Sequence, residues 1–164
     1  MLTTPEMPVD NDIRNRVRVR VNGLVIRDQS LLMVNLHSPV TNELIWMPPG
    51  GGLAFGETLH GALVREIKEE TGVTVEAGPL WYLHEVHATG IHAVEFYFLC
   101  HYRAGEPVAG VDPEYSKEQQ IIRGADFIPL DLLGRSDIFP EHIRNGFVED
   151  LSDPERQKEL PGFI

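Results

Sequence analysis

The sequence predicts an α/β fold in which a mixed sheet lies between helices. Two observations carry this. Short apolar or alternating runs recur along the chain, and they are broken by one amphipathic helical segment and closed by a second. No repeat, low-complexity run or linker divides them. A single domain is therefore expected over 13–152, with a loose arm at 1–12 and a polar, proline-bounded tail at 153–164.

The elements follow in order. Arg16 to Val21 alternates arginine and valine, which gives a strand with one apolar and one basic face. Asn22-Gly23 precedes apolar Leu24-Val25-Ile26, so the strand continues through it rather than turning. Asp28-Gln29-Ser30 is a turn, Leu31 to Leu36 a second strand, and Leu44 to Met47 a short third strand leading into a glycine loop at Gly50-Gly51-Gly52. Val73 to Val75 and Leu80 to His87 form a broken strand, and Ile91 to Tyr102 pairs with it as a hairpin. Arg103 to Ser116 is a long loop, expected to be functional or mobile. Gln120 to Ile128 is a strand interrupted at Arg123-Gly124, Pro129 opens a short helix, and Glu141 to Leu151 forms the closing helix.

The central helix is the most informative segment. Thr58 suits its N-cap and Gly72 its C-terminal stop, while Leu59, Ala62, Leu63 and Ile67 recur at helical spacing. Glu66, Glu69 and Glu70 stand at i, i+3 and i+4, neighbours on one helix face whose like charges repel. They also lie toward the C-terminal end, where the helix dipole disfavours anions. Arg65 and Lys68 offer partial relief to a solvated acidic face. A hard divalent cation offers a stronger cause, because it selects carboxylate and carbonyl oxygens. The glycine run lets backbone approach a ligand closely, and Pro48-Pro49 stiffens its entry.

Composition narrows the classes. The net charge of −11 excludes a large basic nucleic-acid footprint, while bound dications reconcile an acidic chain with an anionic substrate. No run has the apolar length to span a bilayer, and the N-terminus lacks the pattern of a secretory signal. The single Cys100 excludes an internal disulfide and fits core packing in a cytoplasmic protein.

With its spacing laid out, the segment 51–73 resembles the signature of the Nudix hydrolase family, G-x5-E-x7-R-E-U-x-E-E-x-G-U, where U is a bulky aliphatic residue. Gly51, Glu57, Arg65, Glu66, Ile67, Glu69, Glu70, Gly72 and Val73 meet its fixed positions. The resemblance implies the Nudix fold, an α/β/α sandwich with a central mixed sheet and a loop–helix–loop. It implies that Glu66, Glu69 and Glu70 bind Mg²⁺, with Mn²⁺ as the alternative, and that a backbone carbonyl of Gly51 or Gly50 adds a ligand. Glu57 and Arg65 then support the cluster.

The implied reaction is in-line attack of water on a diphosphate. The substrate is a nucleoside diphosphate linked to another group, such as ADP-ribose or a nucleotide sugar, or a nucleoside triphosphate. Two other readings come from the same fold: a non-hydrolytic domain that binds a nucleotide metabolite, and an isopentenyl-diphosphate isomerase, which the core setting of Cys100 disfavours. By family analogy a homodimer is expected.

Outside the motif, Glu118, Glu95 and Glu114 are candidates for the general base. Glu95 lies in an apolar run and needs a partner or a metal. Arg18 and Arg20 are candidates for contacting substrate phosphate. His84 or His87 can line a substrate cleft, and Trp46, Trp81, Tyr82, Tyr97 and Phe127 are the aromatics able to stack on a base.

Overall fold

The computed structural model describes residues 16–38, 41–88, 90–111, 116 and 120–155. In chain order these form β1 (Val17–Arg27), β2 (Ser30–His37), β3 (Leu44–Met47), β4 (Gly50–Gly52), α1 (Leu59–Thr71), β5 (Thr74–Ala88), β6 (Ile91–Ala104), β7 (Ile122–Pro129) and α2 (Glu141–Ser152). A single 3-10 turn, Leu130–Leu132, follows β7. The sheet runs β3-β2-β1-β6-β5, with β4 added beside β1 and β7 beside β2. β1 and β6 are parallel, whereas the other strand pairs are antiparallel, so the sheet is mixed as expected.

Each sheet face carries its own apolar layer. On one side Ala62, Leu63 and Ile67 of α1 pack with Val21, Val25, Leu32, Phe98 and Cys100. On the other, Ile143 and Phe147 of α2 pack with Leu24, Met33, Trp81 and Tyr97. Strand alternation produces this division, since Val21 and Val25 face α1 while Leu24 faces α2. Gly23 lies where a Cβ would come within 2.4 Å of Ile67 Cδ1, so its lack of a side chain sets how closely β1 and α1 approach.

The central helix ends as its sequence indicates. Thr58 Oγ1 accepts from Gly61 N–H at 3.0 Å, and Gly72 adopts φ 74° beyond the last turn. β1 runs unbroken through Asn22-Gly23, and β5 is one strand whose irregularities appear as register shifts near Ala77 and Leu80.

Two expectations change. The glycine run is a strand rather than a loop, because Gly50, Gly51 and Gly52 pair with Asn22, Val21 and Arg20 of β1. Lys68 does not relieve the acidic face. Its Nζ reaches Gly72 O at 2.7 Å and Thr74 Oγ1 at 3.2 Å, where the carbonyls of the helix end attract a cation. The loop after β6 is fastened to α1, with Val108, Gly110 and Val111 donating to the carbonyls of Thr71, Glu70 and Glu69. Glu114, Glu118, the arm at 1–12 and the tail from 156 onward lie outside the described residues.

Candidate active site

α1 and β4 assemble one compact ionic cluster, organised by Arg65. Its guanidinium grips Glu57 in two parallel bonds, Nε to Oε1 at 2.7 Å and Nη2 to Oε2 at 2.9 Å. Nη1 donates to Glu66 Oε1 at 2.8 Å and to Glu69 Oε2 at 3.1 Å, and Nη2 reaches Gly52 O at 3.4 Å. Glu57 also accepts the Ala54 N–H at 3.0 Å. Arg65, followed by this amide, holds the Glu57 carboxyl down to about 2. The reciprocal bond to Glu57 raises the Arg65 pKa, opposing the effect of its own desolvation.

The glycine strand seats the other two carboxylates. Glu70 is 4% exposed and accepts the Gly50 N–H on Oε2 at 2.9 Å. Glu66 is 5% exposed and lies against Gly51, where a Cβ would sit 2.3 Å from its carboxyl carbon. Only glycine leaves room for this approach. Antiparallel pairing with β1 fixes the strand, and Gly23 N–H adds a bond to Pro49 O at 2.9 Å.

Among the described residues, no three His, Cys, Asp or Glu side chains converge as a preformed metal-holding group. Glu66 and Glu69 are instead turned onto Arg65. The donor set nevertheless fits a hard cation. It consists of carboxylates beside glycine backbone, with no nitrogen or sulfur ligand, and two of those carboxylates are buried. Glu66 Oε1 and Glu69 Oε2 share a single guanidinium nitrogen, which leaves negative charge for a dication to compensate.

The remaining sequence candidates go elsewhere. Glu95 is 8% exposed and, by strand alternation with Tyr97, faces α2 rather than α1. It accepts from Tyr97 Oη at 2.8 Å and lies 3.6 Å from Arg20 Nε and 3.8 Å from His84 Nδ1. Arg20 is thus directed to Glu95, and Arg18 lies opposite Ala93 on β6. Trp81 and Tyr97 belong to the core, and Phe127 lies beneath the Arg27 guanidinium at 4.0 Å from its ring centre. His87 and His92 stack edge to face in the β5–β6 hairpin, where His92 bonds Glu85.

Tyr82 and His84 line an open cavity of about 550 Å³ with Leu83, Pro140, Glu141, His142 and Asn145 of the α2 end. Two residues were not singled out by sequence reasoning. His142 supplies one wall, which required knowing that the N-terminus of α2 packs over β5. Asn22 is fully buried, and neither amide atom has a hydrogen-bond partner among the described residues. Its only sequence signal was a polar residue inside an apolar run.

The sequence profile of the NUDIX domain matches residues 16–146. An ADP-ribose pyrophosphatase of Methanocaldococcus jannaschii is 31% identical over 96 residues, covering 57% of this chain and 56% of that protein. Nudix hydrolase 2 of Arabidopsis thaliana is 26% identical over 106 residues, covering 65% of this chain and 33% of that protein. These matches span less than two thirds of either relative. The crystal structure of a MutT NUDIX hydrolase from Burkholderia pseudomallei superposes with a TM-score of 0.59 at 28% identity, covering 71% of this chain and 86% of that one.

Proposed function

The chain belongs to the Nudix family, and from that premise we propose that it is a divalent-metal-dependent pyrophosphohydrolase. Its substrate is a nucleoside diphosphate linked to a second group, such as ADP-ribose or a nucleotide sugar, or a nucleoside triphosphate. The observation that carries this reading is the single cluster in which Arg65 ties Glu57, Glu66 and Glu69 together while β4 holds Glu66 and Glu70. A relative named as an ADP-ribose pyrophosphatase and another named as an RNA pyrophosphohydrolase support hydrolysis of a diphosphate bond.

Glu66, Glu69 and Glu70 hold Mg²⁺ or Mn²⁺, with backbone oxygen from Gly51 or Gly50. When bound, the dication supplies positive charge to the phosphate oxygens and to the attacking water. Arg65 orients the Glu66 and Glu69 carboxylates that would hold the cation. Glu57 keeps Arg65 in place through its two bonds. Glu95 stands apart from this cluster, which leaves Glu118 and Glu114 as the candidates for proton acceptor, with loss of kcat in Glu118→Gln or Glu114→Gln as the check. The nucleoside portion lies toward the cavity beside Tyr82 and His84.

The test is hydrolysis of ADP-ribose, nucleotide sugars, dinucleoside polyphosphates and nucleoside triphosphates with Mg²⁺ or Mn²⁺, followed by product analysis. Turnover of at least one substrate, abolished by EDTA and by Glu70→Gln, is expected. Binding without turnover of any of them would instead assign a nucleotide-sensing role.

A further inference from the structure

Three adjacent strands carry a polar grid on the sheet face that α2 covers. One row crosses Gly52, Arg20, Glu95 and His84, each directly paired with the next. The neighbouring row crosses Gly50, Asn22, Tyr97 and Tyr82. Both rows begin on the glycine strand that seats the α1 carboxylates, and both end beside the cavity under His142. Three strand spacings separate Gly52 from His84, roughly 14 Å.

The far end of the grid has a defined hydrogen-bonding character. The carboxylate of Glu95 is fixed by the Tyr97 hydroxyl at 2.8 Å and by Arg20 at 3.6 Å. Its Oε2 lies 3.8 Å from His84 Nδ1, a buried atom with no hydrogen-bond partner. A carboxylate at that position favours placing the ring proton on Nδ1. Nε2 is then left as an acceptor at the cavity side of the ring. Tyr82 and His142, whose rings lie 5.0 Å apart, line the same cavity as flat surfaces for a planar ligand. The amide of fully buried Asn22, which has no hydrogen-bond partner among the described residues, lies on the same face.

We propose that His84 is a specificity-determining residue, selecting nucleobases that present an amino donor at their outer edge, as adenine and cytosine do, over bases with a carbonyl there. Glu95 is its positioning residue, acting through the tautomer of the imidazole. This deepens the reading of the chain as a nucleotide hydrolase and rests on it for the place of the phosphates.

The probes are nucleoside monophosphates in which that amino group is exchanged for a carbonyl and the adjacent ring nitrogen gains a proton: AMP against IMP, and CMP against UMP. Their dissociation constants are measured calorimetrically with saturating MgCl₂. In the wild type, AMP and CMP bind about tenfold tighter than IMP and UMP, the worth of one discriminating hydrogen bond. His84→Phe keeps the flat ring and brings the ratio to one. Glu95→Gln lowers the ratio while the protein keeps its circular dichroism spectrum, an outcome that a purely structural role does not give. Equal affinities in the wild type, no binding of any of the four, or a ratio that survives in His84→Phe overturns the proposal. Discrimination without hydrolysis of any nucleotide leaves this base-reading role standing and removes the hydrolase reading. Hydrolysis without discrimination does the reverse.

Discussion

Arg65 and Glu57 form a two-point clasp, Nε to Oε1 at 2.7 Å and Nη2 to Oε2 at 2.9 Å, across the turn that joins β4 to α1. The remaining guanidinium nitrogen is left to serve Glu66 and Glu69. Lysine has no planar fork with which to do this. Arg65→Lys is expected to lower kcat/KM by about 10- to 100-fold, the cost of losing a supporting partner at a metal site. Stability in urea should fall only modestly, since the two-point clasp on Glu57 is lost but is solvent-screened. Unchanged kinetics in this variant would remove Arg65 from the site.

The same clasp sets an acid limit. The folded-state pKa of Glu57 is depressed from its ordinary 4.5 to about 2, first by Arg65 and then by the Ala54 amide. Its contribution is therefore fully present above about pH 4.5 and is lost as pH falls toward 2. Acid unfolding followed by circular dichroism should be less steep in Glu57→Gln across that window. Coincident curves for the two proteins would contradict the assignment.

Glu70 separates folding from ion binding. Glutamine retains an oxygen for the Gly50 N–H but carries no charge. Glu70→Gln should melt no lower than the wild type in EDTA, because one repelling anion on the Glu66–Glu69–Glu70 face is gone. The wild type should gain stability on adding MgCl₂, about 2.7 kcal/mol at one hundred times the dissociation constant. The variant should gain little. Equal magnesium-induced shifts in melting temperature would count against the carboxylates as ligands.

Gly51 tests the close approach directly. A Cβ there would lie 2.3 Å from Glu66 Cδ and 2.4 Å from its Oε2, on a carboxylate already held by Arg65. Gly51→Ala should destabilise by about 1–3 kcal/mol through overpacking and should reduce turnover sharply. Gly134→Ala is the control, since a Cβ there meets nothing within 4 Å. Similar activity in the two variants would mean that Glu66 moves aside without consequence.

Cys100 should behave as core. Burial pushes its thiol up to about 12, so almost no thiolate forms at neutral pH. Labelling by a thiol-specific chromogenic disulfide at pH 8 should be negligible in the native protein and complete within minutes in denaturant. Rapid native labelling would show that the β6 layer opens.

Legibility from the sequence followed the range of each interaction. α1 was readable to its ends because Thr58, Gly72 and the apolar stripe act locally. The carboxylate cluster and its arginine were readable for the same reason, apart from Glu57, whose role came from the family signature. β4 has no signal of its own because three glycines carry no strand preference, and its pairing with β1 comes from a segment about thirty residues earlier. Lys68 was misassigned because its neighbours in sequence are acidic, whereas its partners are the turn atoms Gly72 O and Thr74 Oγ1. The need of Glu95 for a partner was foreseen. That Tyr97 and Arg20 supply it, with His84 close by, depends on three-strand register, which no local pattern encodes.

The parallel ladder between β1 and β6 joins residues 75 positions apart, Val17 to His92 through Ile26 to His101. β4 binds the opposite edge of the same β1 segment. A peptide spanning only residues 50–73 would contain every signature residue and yet have neither strand to order it. Assembly of the catalytic apparatus must therefore await a long-range closure, one of the slower kinds of event on a folding pathway. A chain interrupted before β6 during synthesis would carry the complete motif without the parallel ladder that flanks β1.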